Sequence, residues 1–323
     1  MHKKETWLIT GGAGYIGSHI ANEFISNGKD VVIYDSLFHG LESRVEYLCR
    51  NYKIEIPLIV ADIRNTLALE NTILKFKPEG IIHTAALKSV EESIKRPSEY
   101  LEVNFEATKS LLEIAFMHKV KHFIFSSTAA VYGSPSDSKP VKEADPTNPI
   151  SPYGTSKLMA EGELNKFLAI TGNRGASLRF FNVVGTAAPE LQDNSTDNLV
   201  PIVINNLKSG TPPTIFGTDY PTTDGTCIRD YIDVRDVARA HFKTANSRLK
   251  LPHVLNVGTG RGASVREVIR LVGASAGSTE ISTNTANRRV GDPASLCADT
   301  SLLKSTIAFM AEYSLEESIK SLR

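Results

Sequence analysis

Thr10-Gly11-Gly12-Ala13-Gly14-Tyr15-Ile16-Gly17 decides the fold. Upstream, Trp7-Leu8-Ile9-Thr10 has the length and apolarity of a buried parallel strand, while Ile16, Ile20, Phe24 and Ile25 recur downstream at helical spacing. The glycines therefore occupy a strand-to-helix turn. A side chain at Gly11 or Gly14 would hold the backbone away from a pyrophosphate, and one at Gly17 would push the helix off the strand. Free backbone N–H groups at the helix start then face the anion, so the stretch, Tyr15 and Ile16 included, predicts a dinucleotide-phosphate loop. The next apolar run, Val31 to Tyr34, ends in Asp35, about twenty residues past the loop, where a carboxylate accepts hydrogen bonds from an adenosine ribose. The same charge repels a 2′-phosphate, which favours NAD over NADP.

Working outward, apolar strand candidates recur at Ile56 to Val60, Gly80 to His83, His122 to Ser126 and Ala176 to Phe180, separated by helix-length amphipathic stretches. This alternation predicts βαβ units and hence an α/β, Rossmann-type, doubly wound parallel sheet with its ligand crevice at the carboxyl ends of the strands. Asp35, Asp62, Ala85 and Ser126 fall at such ends. Beyond about residue 180 the pattern breaks into proline- and glycine-rich segments, such as Pro212-Pro213 and Asp219 to Gly225, which predict a smaller carboxyl-terminal domain. The boundaries expected are 1–180 and 181–323, interleaved, with residues 230–258 returning to the main sheet through Val254 to Val257.

Composition narrows the function classes. The 323 residues, 41% of them hydrophobic, can bury a large core. Lys plus Arg and Asp plus Glu both total 36, so there is no electrostatic footprint for nucleic acid. Cys49, Cys227 and Cys297 are an odd, widely spaced set that argues for a reducing compartment and against a disulfide framework. His118 and His122 straddle a predicted helix end, and no histidine pair has metal-ligand spacing, so no metal is expected. No long apolar segment precedes Gly11, so a cytoplasmic protein without a membrane anchor is expected.

Candidate chemistry begins at Tyr153-Gly154-Thr155-Ser156-Lys157, which opens an amphipathic segment with Leu158, Leu164, Phe167 and Leu168 on its apolar positions. Residues 153 and 157 share a helical face. A free phenol titrates near about 10, and a neighbouring ammonium favours its ionised form. Phe125-Ser126-Ser127-Thr128 ends a predicted parallel strand, so hydroxyls reach the same crevice. The Thr128 hydroxyl can relay a proton between a substrate and Tyr153.

Together, the glycine loop, Asp35, the Ser126–Thr128 strand end and the Tyr153–Lys157 pair resemble the extended short-chain dehydrogenase/reductase superfamily. More narrowly, Ala85-Ala86-Leu87-Lys88, Ser151-Pro152-Tyr153, Phe181-Asn182 and Ile215 to Tyr231 (IFGTDYPTTDGTCIRDY) resemble the UDP-glucose 4-epimerase family, from residue 7 to about 320. That resemblance implies NAD contacts from Gly11, Gly14, Tyr15, Ile16, Gly17, Asp35, Asp62, Ile63, Ala85, Lys88, Asn104, Ser126, Tyr153 and Lys157. It implies UDP-sugar contacts from Lys88, Thr128, Tyr153, Asn182, Asn198, Leu199, Phe216, Arg229, Arg289 and Asp292. Tyr153, Lys157 and Thr128 become the implied catalytic residues.

The implied reaction inverts carbon 4 of a UDP-hexose, UDP-glucose or UDP-galactose, through a transient 4-keto sugar. Dehydratases and decarboxylases of the superfamily carry acidic groups just after the strand-end hydroxyl, where this chain has Ala129 and Ala130. A non-catalytic NAD-dependent sensor would not need the Tyr–Lys pair. Departures from the family pattern include Thr128 for Ser, Phe180 for Tyr, Val183 for Pro and Ala86 for Gly. Leu296 stands where a bulky Tyr excludes N-acetyl sugars in some members, leaving UDP-N-acetylglucosamine, a pentose or a uronate open as alternative substrates. Apolar stripes over Glu99 to Met117, with Leu101, Phe105, Leu111, Leu112 and Phe116, and over Leu158 to Ala169 coincide with the superfamily's paired-helix interface and imply a homodimer.

Overall fold

The computed structural model describes residues 5–135, 139–195, 198–278, 280–289 and 291–323. Strands β1 (Thr6–Thr10), β2 (Asp30–Asp35), β3 (Leu58–Val60), β4 (Gly80–His83), β5 (His122–Thr128) and β6 (Arg174–Phe180) join Val254–Val257 in one seven-stranded sheet. Its order is Val254–Val257, β6, β5, β4, β1, β2, β3, and every pairing is parallel. This is the doubly wound Rossmann arrangement, with the order reversing between β1 and β4. The short Leu58–Val60 omits Ile56-Pro57, since proline has no N–H to give a parallel ladder.

Alternation along each strand divides the core between two faces. Trp7 and Ile9 point to the helices Tyr15–Ser26 and Val234–Ala245, where Ile20, Phe24 and Val237 are buried. Leu8 points the other way, onto Leu111, Leu112 and Leu164. Phe24 sits edge-on to Trp7 at 5.1 Å and to Phe242 at 5.2 Å, contacts that add about 0.5–1.5 kcal/mol each to the burial itself.

The smaller lobe packs Val184, Val203, Ile215, Val268 and Val272 around a sheet containing Asn182–Val184, Ile228–Asp233, Gly262–Ser264 and Ser295–Leu296. The helix Pro152–Thr171 lies against the main sheet; Ser151 caps it by accepting from Gly154 N at 3.1 Å, Pro152 opens it, and Gly172 at φ +65° ends it. Among the described residues no helix is long and apolar enough to cross a membrane, and no group of His, Cys, Asp and Glu is arranged to hold a metal ion. The match of Asn194-Ser195-Thr196 to a glycosylation acceptor is incidental by the sequence reading, and its Thr196 lies outside the described residues.

Candidate active site

A cleft of about 1470 Å³ opens along the carboxyl ends of β1, β2, β4 and β5, with the smaller lobe as its far wall. A hollow of about 540 Å³ beside Asp224, Arg266 and Arg270 contains none of the residues expected to carry chemistry. The large cleft gathers most of them.

At the floor, the helix Tyr15–Ser26 begins at Gly14 with no side-chain cap and no acidic residue in its first turn, so its leading N–H groups are left for an anion. Gly11 has φ +70°, and a Cβ there would stand 2.6 Å from Ala85 N; a Cβ on Gly17 would stand 2.1 Å from the Gly11 carbonyl. Both positions exclude any side chain. Asp35 Oδ2 accepts from Ala13 N at 3.0 Å and Oδ1 from Leu37 N at 2.8 Å. Burial raises its pKa, and the backbone N–H groups of Leu37, Ala13 and Gly14 pull the other way. Each oxygen keeps a lone pair for a ribose hydroxyl. Along the same wall Asp62 is held by Arg64 at 2.8 Å, chiefly through side-chain hydrogen bonding that keeps its carboxyl below the usual range, and Ile63 follows it. An uncapped helix start, glycines that admit no Cβ and an inward carboxylate fit NAD.

Thr128, Tyr153 and Lys157 meet where β5 and the helix Pro152–Thr171 enter the cleft. Lys157 Nζ donates to the Ser126 carbonyl at 2.9 Å and lies 4.6 Å from the centre of the Phe125 ring. Burial lowers its pKa to about 7, with the Glu161 carboxylate opposing. Burial raises the pKa of the Tyr153 phenol, and the hydrogen bond from the Thr128 side chain pulls the other way.

Gly11, Gly14, Tyr15, Ile16, Gly17, Asp35, Asp62, Ile63, Ala85, Lys88 and Ser126 line the cleft, as do Asn182, Asn198, Arg229 and Asp292. Asn104, Leu199, Phe216 and Arg289 do not. Asn104 is fully buried; its Oδ1 accepts from Leu87 N at 2.8 Å, and its Nδ2 donates to Leu87 O at 2.9 Å and to Ser156 Oγ at 3.1 Å. It braces the Lys88 loop against the Tyr153 helix. Arg289 stacks over Phe216 at 4.2 Å, on the paired strands at the edge of the smaller lobe. Arg229 and Asp292 bind each other at 3.0 Å.

Sequence reading missed three buried polar groups. Arg44 bridges the lobes, donating to Ala13 O at 3.2 Å and Gln192 O at 2.6 Å. Asp193 accepts from Asn198 Nδ2 at 2.6 Å and stands 4.0 Å from Lys88 Nζ. Glu161 pairs with Arg179 at 2.6 Å under the strand end. The local signal for Glu161 was there, one further four-residue step after Tyr153 and Lys157; Arg44 and Asp193 have no local signature.

Fold and cleft together define a dinucleotide-dependent enzyme with a Tyr–Lys pair at the carboxyl edge of a Rossmann sheet. Residues 7–258 match the model of the NAD dependent epimerase/dehydratase family. A UDP-glucose 4-epimerase of Azospirillum brasilense is 36% identical over 95% of this chain and 87% of its own length. The crystal structure of UDP-glucose-4-epimerase from Stenotrophomonas maltophila, with bound NAD and formylated UDP-arabinopyranose, superposes with a TM-score of 0.93 at 36% identity, covering 98% of this chain and 96% of that one. The UDP-Glc/GlcNAc 4-epimerase of Campylobacter jejuni gives 0.85 at 34% identity, covering 98% of each chain. The chain belongs to the NAD dependent epimerase/dehydratase family, within its UDP-glucose 4-epimerases.

Proposed function

We propose that the protein interconverts UDP-glucose and UDP-galactose by inverting carbon 4, using NAD held in the main lobe, residues 1–180, with UDP held by residues 181–323. The observation that carries this reading is the convergence of Thr128, Tyr153 and Lys157 on a cleft whose floor is an uncapped helix start. Gly11, Gly14, Tyr15, Ile16, Gly17, Ala85 and Lys88 flank the pyrophosphate in this reading. Asp35 takes the adenosine ribose, Asp62 and Ile63 the adenine end, and Ser126 the nicotinamide end. When bound, NAD takes a hydride from carbon 4 and gives it back.

The protein's own part is proton handling and restraint. Tyr153 removes the proton of the sugar 4-hydroxyl, with Thr128 relaying between the two oxygens. The positive charge of Lys157 favours the Tyr153 phenolate, and the same proton returns from Tyr153 to the sugar oxygen when the keto group is reduced. Asn182, Asn198, Arg229 and Asp292 hold UDP, with Leu199, Phe216 and Arg289 closing from the smaller lobe, while the apolar Ala129 and Ala130 leave the keto sugar free to turn over. Tyr153→Phe tests this: UDP-galactose turnover is abolished with NAD still bound, and substantial retained turnover refutes the assignment.

Leu296, on the cleft wall, favours a second substrate. A Leu leaves volume that a Tyr would fill, so UDP-N-acetylglucosamine also fits; turnover of UDP-glucose with none of the N-acetyl sugar at high concentration refutes this. Phe116 and Met117, both more than half exposed, and Met159 continue an apolar face across the helices Ala107–Met117 and Pro152–Thr171. This supports a homodimer, which a monomer mass by light scattering would overturn. Three unpaired thiols support a cytoplasmic location.

A further inference from the structure

The helix that supplies Tyr153 and Lys157 carries a third residue on the same face, Glu161, and it is 2% exposed. Its Oε1 accepts from Ser127 Oγ at 2.5 Å and from Arg179 Nε at 2.9 Å; its Oε2 accepts from Arg179 Nη2 at 2.6 Å. Arg179, on β6, is 4% exposed and lies over the Tyr132 ring at 4.8 Å, and the Tyr132 hydroxyl donates to Asn256 at 2.7 Å. The consecutive hydroxyls of β5 thus have separate partners: Ser126 binds His241 at 2.9 Å, Ser127 binds Glu161, and Thr128 faces Tyr153. A buried carboxylate–guanidinium pair, here with Arg179 Nη1 left without a partner, rarely stabilises a fold more than apolar residues of the same volume would. Their placement directly beneath the strand-end hydroxyls points to a role in the reaction.

We propose that Glu161, anchored by Arg179, is a positioning residue that seats Ser127 and keeps the Lys157 ammonium protonated while Tyr153 carries its negative charge. This rests on the epimerase reading above. Around Lys157, its own helix contributes Tyr153 and Glu161, β4 contributes the neutral His83, β5 the Ser126 carbonyl and the Phe125 ring, β6 contributes Arg179 through Glu161, and the helix Val234–Ala245 places neutral His241 behind Ser126. Glu161 is the anion among these. Burial weakens the hold of Lys157 on its proton, and the Glu161 carboxylate is the charge that opposes it. Loss of that proton on the alkaline side removes the charge that stabilises the phenolate, so Glu161 sets where the alkaline limb of activity falls.

Glu161→Gln alone strands the buried Arg179 cation and puts the fold itself at risk, so the decisive variant is the neutral pair Glu161→Gln/Arg179→Met, studied with NAD bound as purified. Two readouts are taken. The first is the protonation midpoint of Lys157 from NMR of carbon-13-labelled lysine, assigned by the signal missing in Lys157→Met. The second is the pH profile of UDP-galactose conversion. Because the anion and its cation leave together, the expected result is a Lys157 midpoint and an alkaline limb both lowered by about half a pH unit, with KM little changed. Glu161→Asp, which keeps the charge but retracts it from Ser127, restores the midpoint while kcat stays low. A folded double variant whose midpoint and limb both match the parent overturns the proposal. A parent that never converts UDP-galactose defeats the epimerase reading instead, and the lysine titration still decides the role of Glu161.

Discussion

Replacing Gly17 by Ala is expected to damage the fold and cofactor binding together, whereas Gly14→Ala damages binding alone. The Cβ introduced by Gly17→Ala would lie 2.1 Å from Gly11 O and 2.8 Å from both Gly11 C and Gly12 Cα, all backbone atoms with no rotamer to yield. Relief requires the helix Tyr15–Ser26 to move off β1 by roughly 1 Å, an overpacking cost of about 1–3 kcal/mol. For a chain of this size that lowers Tm by about 1.5–4.5 °C. The same shift turns the helix-start N–H groups away from the pyrophosphate, and each well-aligned charged hydrogen bond lost costs about 1.5–3 kcal/mol, or about tenfold to a hundredfold in NAD affinity. At Gly14 the sole close neighbour of a new Cβ is Gly11 O at 3.0 Å, a contact that a few tenths of an ångström relieve, but the methyl group enters the space proposed for the anion. The assay is differential scanning calorimetry of cofactor-stripped protein, paired with titration of NAD. Gly17→Ala with parental Tm, or Gly14→Ala with the larger Tm loss, would refute the steric reasoning.

Acid stability offers a separate test. Burial lowers the pKa of His19 to about 4, His83 to about 3 and His241 to about 4, against an ordinary 6.5. The unfolded chain therefore binds protons below pH 6.5 that the folded chain refuses, so stability is lost as pH falls from about 6.5 towards 4, at up to about 1.4 kcal/mol per pH unit for each histidine. Urea midpoints measured across that window should fall steeply, and a flat profile would contradict the three buried neutral rings. Lys157 acts in a higher window, because its folded pKa near 7 lies below its ordinary 10.5. Stability should therefore rise with pH between about 7 and 10.5, and Lys157→Met should flatten that rise in thermal melts. Asp35→Ser removes the charge facing the adenosine ribose and should reduce the preference for NAD over NADP by at least about tenfold in direct titrations; unchanged discrimination would assign that role elsewhere.

What the sequence made legible follows from how local the signal is. The main sheet could be read because strands covered on both faces are continuous apolar runs, and β4 (Gly80–His83) and Val254–Val257 occur as expected. The stretch from Glu99 reads as one helix, but Pro97–Leu101 and Ala107–Met117 are joined by a π-helical turn, Glu102–Glu106. Apolar periodicity runs through that turn unchanged, so nothing in the pattern reveals that Asn104 is directed at Leu87 and Ser156. The smaller lobe was harder still, because several of its strands are two or three residues long and carry no period to read.

The site divides along the same line. Tyr153, Lys157 and Thr128 were found because their chemistry demands one strand end and one helix start. Arg44 and Gln192 are 148 residues apart, and Arg229 and Asp292 63. No local spacing encodes such pairs: Arg44 meets Gln192 only across the two lobes, and Arg229 meets Asp292 only once the smaller lobe has folded. Glu161 lies between these cases. Its spacing from Lys157 is local, but its meaning depends on Arg179 arriving from β6, 18 residues away, by the crossover that sets β6 beside β5. A four-residue repeat of Tyr, Lys and Glu on one helix face gains chemical content only when the adjacent parallel strand supplies the cation that fixes its last member.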